Sequence, residues 1–244
     1  MIFDSIQTRQ KILSKFLELA AFDGWSEETL KLALKACDID EKFQSLIFEN
    51  GCLDLAEFYI SQKNQESALL ISQDPDFANF KIRNKIKTSL YCRFEVELDN
   101  KIILQRLVNF YLNPKNFSST KYGPKPLFYG MKACYKIANF MWYNIEDKST
   151  DFNFYTKRLT LSKIILRSLF VFLKDDSESF EKTKNFIDSQ IEKVMNFEKR
   201  KAQIKNSFAH AAKNFPQFFL DENGSPKAPK EFLKTLPFVR LFKF

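Results

Sequence analysis

An all-α fold is predicted from three features of the chain. Five glycines and eight prolines among 244 residues leave few places to turn. The long stretches between them are rich in Leu, Ile, Lys, Glu and Phe, a mixture that favours helices. With 45% hydrophobic residues, a chain of this length can bury one full core, so a single large helical domain is expected.

The first helix is expected over Ser5 to Ala21, where Ile12, Phe16, Leu19 and Ala20 recur at helical spacing and Asp23-Gly24 ends the run. Ser26 is placed to cap a second helix, whose first turn carries Glu27 and Glu28 against the helix dipole and which continues with the apolar Leu30, Leu32, Ala33 and Ala36. Asp40 is expected to cap a short third helix through Phe43, Leu46 and Ile47, stopping at Asn50-Gly51. Three short helices in this rhythm read as a helix-turn-helix unit. Longer helices follow at Leu53 to Ile71, Phe80 to Leu98, Lys101 to Leu112, Pro126 to Asn144, Thr150 to Leu173, and from Ser177 into the C-terminal tail. Loops are marked by Pro and Gly at Asn113 to Pro126 and at Asp221 to Pro229. The organisation expected is therefore an N-terminal unit over 1–52, a helical core over 53–200 and a tail over 201–244.

Charge is unevenly spread. Met1 to Ile60 carries six Lys/Arg against eleven Asp/Glu, a net of −5, whereas Lys199 to Phe244 carries ten against three, a net of +7. An anionic partner is expected to meet the C-terminus. There, Ile204, Phe208, Ala211, Ala212 and Phe215 recur amid Lys201, Lys205 and Lys213, the pattern of a basic amphipathic helix. A shorter run, Phe238-Val239-Arg240-Leu241-Phe242-Lys243-Phe244, mixes aromatics with cations. Lys201, Lys205, Phe208, Phe215, Phe238, Arg240 and Phe242 are the candidates for contact with a membrane surface, since cations are drawn to anionic lipid and Phe inserts beside them.

Cys37, Cys52, Cys92 and Cys134 lie far apart, with no C-x-x-C pair and a single histidine, His210, so no metal site or cofactor is expected. No run of about 18 apolar residues is present to span a bilayer, and the N-terminus has neither a signal-peptide core nor an Arg-rich transit pattern. A bacterial chain or an already processed one is the reading of that end.

The segment Ser149-Thr150-Asp151-Phe152-Asn153-Phe154-Tyr155-Thr156-Lys157-Arg158 resembles the S-T-D-F-N-W-Y-T-K-R signature of ubiquinone-biosynthesis accessory proteins with a TetR-regulator-like fold. Ala21 to Ser26, Asp54-Leu55 with Glu57-Phe58, Ile82-Arg83 with Arg93, and Asp175 to Phe180 add to the likeness, which spans Ile12 to Lys201. The resemblance implies a non-enzymatic homodimer that binds isoprenoid quinone or other lipid and helps a hydroxylase of the pathway reach it at a membrane. It also implies a place on the cytoplasmic face of a bacterial inner membrane, or on the matrix side in mitochondria.

Asp151, Phe154, Tyr155 and Arg158 fall at i, i+3, i+4 and i+7, so one helical stripe offers an acid, two aromatics and a guanidinium. Such a mixture suits an interface hot spot, and the resemblance assigns these positions to the hydroxylase-facing surface. Spacing alone leaves open whether Phe154 and Tyr155 belong to that surface or to the core. Phe154 replaces the usual Trp, which keeps a flat apolar anchor but loses the indole N–H. The lipid is expected in an apolar tunnel among Leu104, Leu107, Val108, Tyr111, Met131, Phe140, Met141, Ile165 and Leu169.

A TetR-type DNA-binding regulator with a lipid-like effector is the alternative. The acidic N-terminal unit argues against it, because Asp40-Glu41 at the head of the third helix would repel phosphates. No nucleic acid is expected as a partner. Catalysis is not expected either: position 207, three before His210, is Ser207, so the E-x-x-H pair of a di-iron carboxylate site is absent, as are Gly-rich phosphate loops.

Overall fold

The computed structural model describes the backbone of residues 6–113, 126–149 and 152–211, with the side chains of 6–113, 128–149 and 153–197. Nine α-helices and no strand occur among the described residues. They are α1 (Ile6–Asp23), α2 (Glu27–Ala36), α3 (Gln44–Ile47), α4 (Cys52–Ser72), α5 (Ile82–Glu95), α6 (Lys101–Leu112), α7 (Pro126–Asn144), α8 (Phe152–Phe172) and α9 (Glu181–Ala211). The all-α prediction holds, and this helix order is consistent with a TetR-like domain.

Helix α1 packs on α2 and α6, and hydrogen bonds from Trp25 and Glu27 tie this N-terminal unit to the start of α4. Ser26 caps α2, its hydroxyl accepting from the Thr29 amide at 3.1 Å, as its position before Glu27-Glu28 requires. The third helix is shorter than expected: a 3₁₀ turn at Glu41–Phe43 takes its first residues, leaving four in α3. Asp40 does cap that turn, accepting from the Lys42 amide at 3.0 Å. Gly51 then enters α4 at φ 55° and ψ −127°, a conformation open to glycine. The carboxylate of Glu27 fills the space beside it, accepting from the Cys52 amide at 2.8 Å and from Gln44 Nε2 at 3.0 Å. An acid that reads in sequence as a dipole partner thus ties α2 to α3 and α4.

Trp25 anchors this unit to the core, its ring edge-on to Phe16 at 4.8 Å and to Tyr59 at 5.8 Å, with the indole N–H donating to the Cys52 carbonyl. The remaining helices form a bundle in which α4 packs on α5 and α7, α7 packs on α6 and α8, and α8 and α5 both pack on α9. Leu90, Leu107, Ala138, Leu161, Phe172 and Ile187, one each from α5, α6, α7 and α9 and two from α8, meet in one continuous core.

The turn between α8 and α9 is held by Asp175, which is buried and accepts from the amides and hydroxyls of Ser177 and Thr183. These bonds support Ser179 and Phe180, both in the left-handed region at φ 50° and 49°. From this turn α9 runs unbroken through residue 200 to Ala211.

Candidate functional site

Two cavities lie next to each other among α4, α6 and α7. The larger, about 500 Å³, is a groove between α4, the end of α6 and α7, within the size range of small-molecule sites. Leu53, Ile60, Ala133 and Phe140 give it apolar walls, Tyr111, Tyr129 and Tyr143 add aromatic ones, and Glu57, paired with Lys136 at 2.6 Å and with Lys132 at 3.6 Å, stands at its edge. The smaller, about 70 Å³, lies deeper and is almost wholly apolar. That is space for about two water molecules by liquid volume. Ile60, Tyr111 and Ala133 line both, so a thin wall separates them.

The nine residues expected to line a lipid tunnel divide between these spaces. Leu104, Leu107, Val108, Tyr111, Ile165 and Leu169 surround the small cavity, and Phe140 with Tyr111 lines the groove. Met141 is buried in the core beside them and lines neither. Met131 is 39% exposed and also lines neither. The groove also carries Glu57, Ser61, Asn64, Lys136 and Asn139, polar residues that apolar spacing in the sequence does not single out.

Behind the groove is a chain of four buried polar residues. Tyr59 donates to Glu97 Oε2 at 2.5 Å, Arg93 Nη1 donates to Glu97 Oε1 at 2.6 Å, and Arg93 Nε donates to Asn64 Oδ1 at 3.1 Å. Glu97 is 0% exposed, so its charge depends on these partners. Burial, together with the neighbouring Glu97 charge, pushes the Tyr59 phenol far above its ordinary range and keeps it a donor.

The signature on α8 is built differently from a displayed stripe. Just past the end of α7 at Asn144, Glu146 takes φ 58° and the Asp147 amide turns back to the Trp142 carbonyl, which brings the Asp147 carboxylate against α8. There it accepts from Lys157 Nζ at 2.7 Å, from the Ser149 hydroxyl at 2.5 Å and from Arg158 Nη1 at 3.2 Å. Arg158 is 3% exposed; it also reaches Asn139 Oδ1 and the Phe154 carbonyl, and its guanidinium lies 3.4 Å over the Phe154 ring. The arginine is thus not presented to a partner, since its donors are spent tying α8 to α7. Phe154 is half-buried beneath it, and Tyr155, 58% exposed, is the aromatic that faces outward. Asp151 lies outside the described residues.

Burial by itself raises the Asp147 pKa, but the hydrogen bonds from Lys157, Ser149 and Arg158 outweigh it and hold the carboxyl down at about 2. Asp175 is likewise held well below the carboxylate range: burial opposes this, and its four donors from Ser177 and Thr183 prevail. A depressed folded-state pKa contributes stability that is present above the unfolded value of about 3.9 and is lost as pH falls toward the folded value. Stability measured by chemical denaturation is therefore expected to fall between about pH 4 and 2, and Asp147→Asn is expected to remove on the order of 2 kcal/mol from that fall.

Of the membrane candidates, Lys201, Lys205 and Phe208 belong to the helical backbone of α9, their side chains outside the described residues; Phe215, Phe238, Arg240 and Phe242 lie wholly outside them. No helix among the described residues is long and apolar enough to cross a membrane. No group of three or more His, Cys, Asp or Glu able to hold a metal ion occurs among them either.

A model of the COQ9 family matches residues 128–198, which takes in α7, α8 and the first half of α9 with the signature between them. The chain is 24% identical over 201 residues to the mitochondrial ubiquinone biosynthesis protein COQ9 of Bos taurus, covering 82% of this chain and 61% of the relative. It is 23% identical over 207 residues to the Homo sapiens protein of the same name, covering 82% and 62%, and 26% identical over 184 residues to that of Schizosaccharomyces pombe, covering 74% and 67%. The chain spans about three fifths of the length of the first two relatives. The family match is seated on the signature helices and the similarity runs along four fifths of the chain, so this chain is similar to COQ9 proteins of ubiquinone biosynthesis.

Proposed function

We propose that this chain is a non-enzymatic accessory protein of ubiquinone biosynthesis, which takes up an isoprenoid quinone intermediate at a membrane surface and presents it to a hydroxylase of the pathway. The observation that carries this reading is the groove of about 500 Å³ beside an apolar cavity, in a helical core whose relatives are named for ubiquinone biosynthesis. As it stands, the small cavity is too small for a prenyl chain, so the tail of a bound lipid follows the groove, or enters the inner space once Tyr111 turns aside. Tyr155 is the anchor for the hydroxylase, held in position by the Arg158 and Asp147 clamp behind it. The exposed Leu159 and Phe170 on α8, with Met195 and Phe197 on α9, support self-association through the long C-terminal helices. The basic stretch from Lys199 onward supplies the contact with anionic lipid, and the mitochondrial relatives favour the mitochondrial placement over the bacterial one.

The DNA-binding alternative is not favoured. Its recognition helix would be the four-residue α3, preceded by Asp40 and Glu41, with Lys42 paired to Asp40 at 2.9 Å.

Lipid extraction and mass spectrometry of the protein purified from its native source test the proposal. Polyprenyl quinones or their ring precursors are expected to co-purify, and to fall at least several-fold in a Leu107→Trp, Phe140→Asp variant that remains folded. Phospholipid alone, unchanged in that variant, would leave the protein as an interaction scaffold.

A further inference from the structure

Asn64 sits at the inner wall of the groove, 6% exposed. Arg93 Nε is always a donor, so the Asn64 atom facing it at 3.1 Å is the carbonyl oxygen, and the amide nitrogen must point the other way. That nitrogen donates to no group among the described residues, and it is not one of the sealed, unpartnered buried atoms, so it keeps access to open space. Glu97 holds Arg93 and Tyr59 holds Glu97, so three buried residues fix the direction in which one amide presents its N–H groups.

A second donor borders the same space. Tyr111 is buried at the wall between groove and inner cavity, and its hydroxyl has no hydrogen-bond partner among the described residues. Burial, with the charge of Glu57 nearby, pushes its phenol well above the ordinary value, so it remains protonated. Two donors from α4 and α6 and flat walls from Tyr129, Phe140 and Tyr143 describe a site for a planar ring that carries oxygen acceptors.

Building on the lipid-binding reading above, we infer that the groove receives the ring of the lipid, with Asn64 Nδ2 and the Tyr111 hydroxyl donating to its carbonyl or phenolic oxygens. The ring, not the prenyl chain, then decides which lipids are retained.

Titration calorimetry with two probes in mild detergent tests this: a decyl-substituted 1,4-benzoquinone, and decylbenzene, which has the ring and chain but no oxygens. Wild-type protein is expected to bind the quinone about tenfold more tightly, the worth of one or two buried hydrogen bonds. Asn64→Asp keeps the acceptor for Arg93 but has no N–H, and Tyr111→Phe removes only the hydroxyl. Each is expected to lose most of the preference for the quinone while holding decylbenzene as before. Equal affinity of the wild type for both probes, or an equal loss of both in each variant, overturns the ring site and leaves the lipid reading standing. Binding of neither probe overturns both.

Discussion

Arg93→Leu is expected to destabilise the protein by about 3–5 kcal/mol, because it leaves the fully buried Glu97 charged against Tyr59 alone and strands the Asn64 carbonyl oxygen. For a domain of this size the loss corresponds to a fall in melting temperature of roughly 10 °C. The cost belongs to the orphaned carboxylate more than to the ion pair. A double variant, Arg93→Leu with Glu97→Leu, is therefore expected to recover much of the loss, since an apolar pair of similar volume escapes the desolvation penalty. Chemical denaturation of the two singles and the double measures this. Additive losses would mean that Glu97 is solvated in a way the buried network does not allow.

Arg158→Leu is expected to cost about 3 kcal/mol, less than the loss at Arg93 because Asp147 keeps Lys157 and Ser149. Arg158→Lys is expected to restore little of it. A lysine cannot reach Asn139, Asp147 and the Phe154 carbonyl at once, nor lie flat on the Phe154 ring. Tyr155→Ala, one turn away and exposed, is expected to stay within about 0.5 kcal/mol of wild type. Stability thus separates residues that build the α7–α8 junction from the one available to a partner. A hydroxylase pull-down lost in Tyr155→Ala, at unchanged stability, assigns docking to that side chain; retention would move it elsewhere.

Helices were legible wherever apolar periodicity and terminal residues agreed. Lys101–Leu112 and Pro126–Asn144 have the bounds expected of them, and Ser26 caps as its position foretold. The fifth helix is shorter than its apolar pattern, because Lys81 is extended and the chain leaves the helix at Val96. The polar chain behind the groove could not be read in advance. Arg93 and Glu97 at i and i+4 look like a solvated helix pair, and only the packing of α4 on α5 buries them and supplies Asn64 and Tyr59. The α8 stripe was legible as a group but not in its direction, since spacing places Arg158 beside Tyr155 without showing that Asp147, eleven residues earlier, draws the guanidinium inward. Gly51 is a related case: its spacing reads as a helix stop, while its conformation and the Glu27 carboxylate beside it make it the start of the next helix.

Photo-crosslinking with a polyprenyl benzoquinone carrying a diazirine on its first isoprene unit, mapped by peptide mass spectrometry, tests the account most directly. Adducts are expected on α4, α6 and α7 around Ile60, Tyr111, Ala133 and Phe140, and competed by unlabelled quinone. Adducts scattered over exposed surface, or gathered on other helices and indifferent to competitor, would contradict a lipid site in this core.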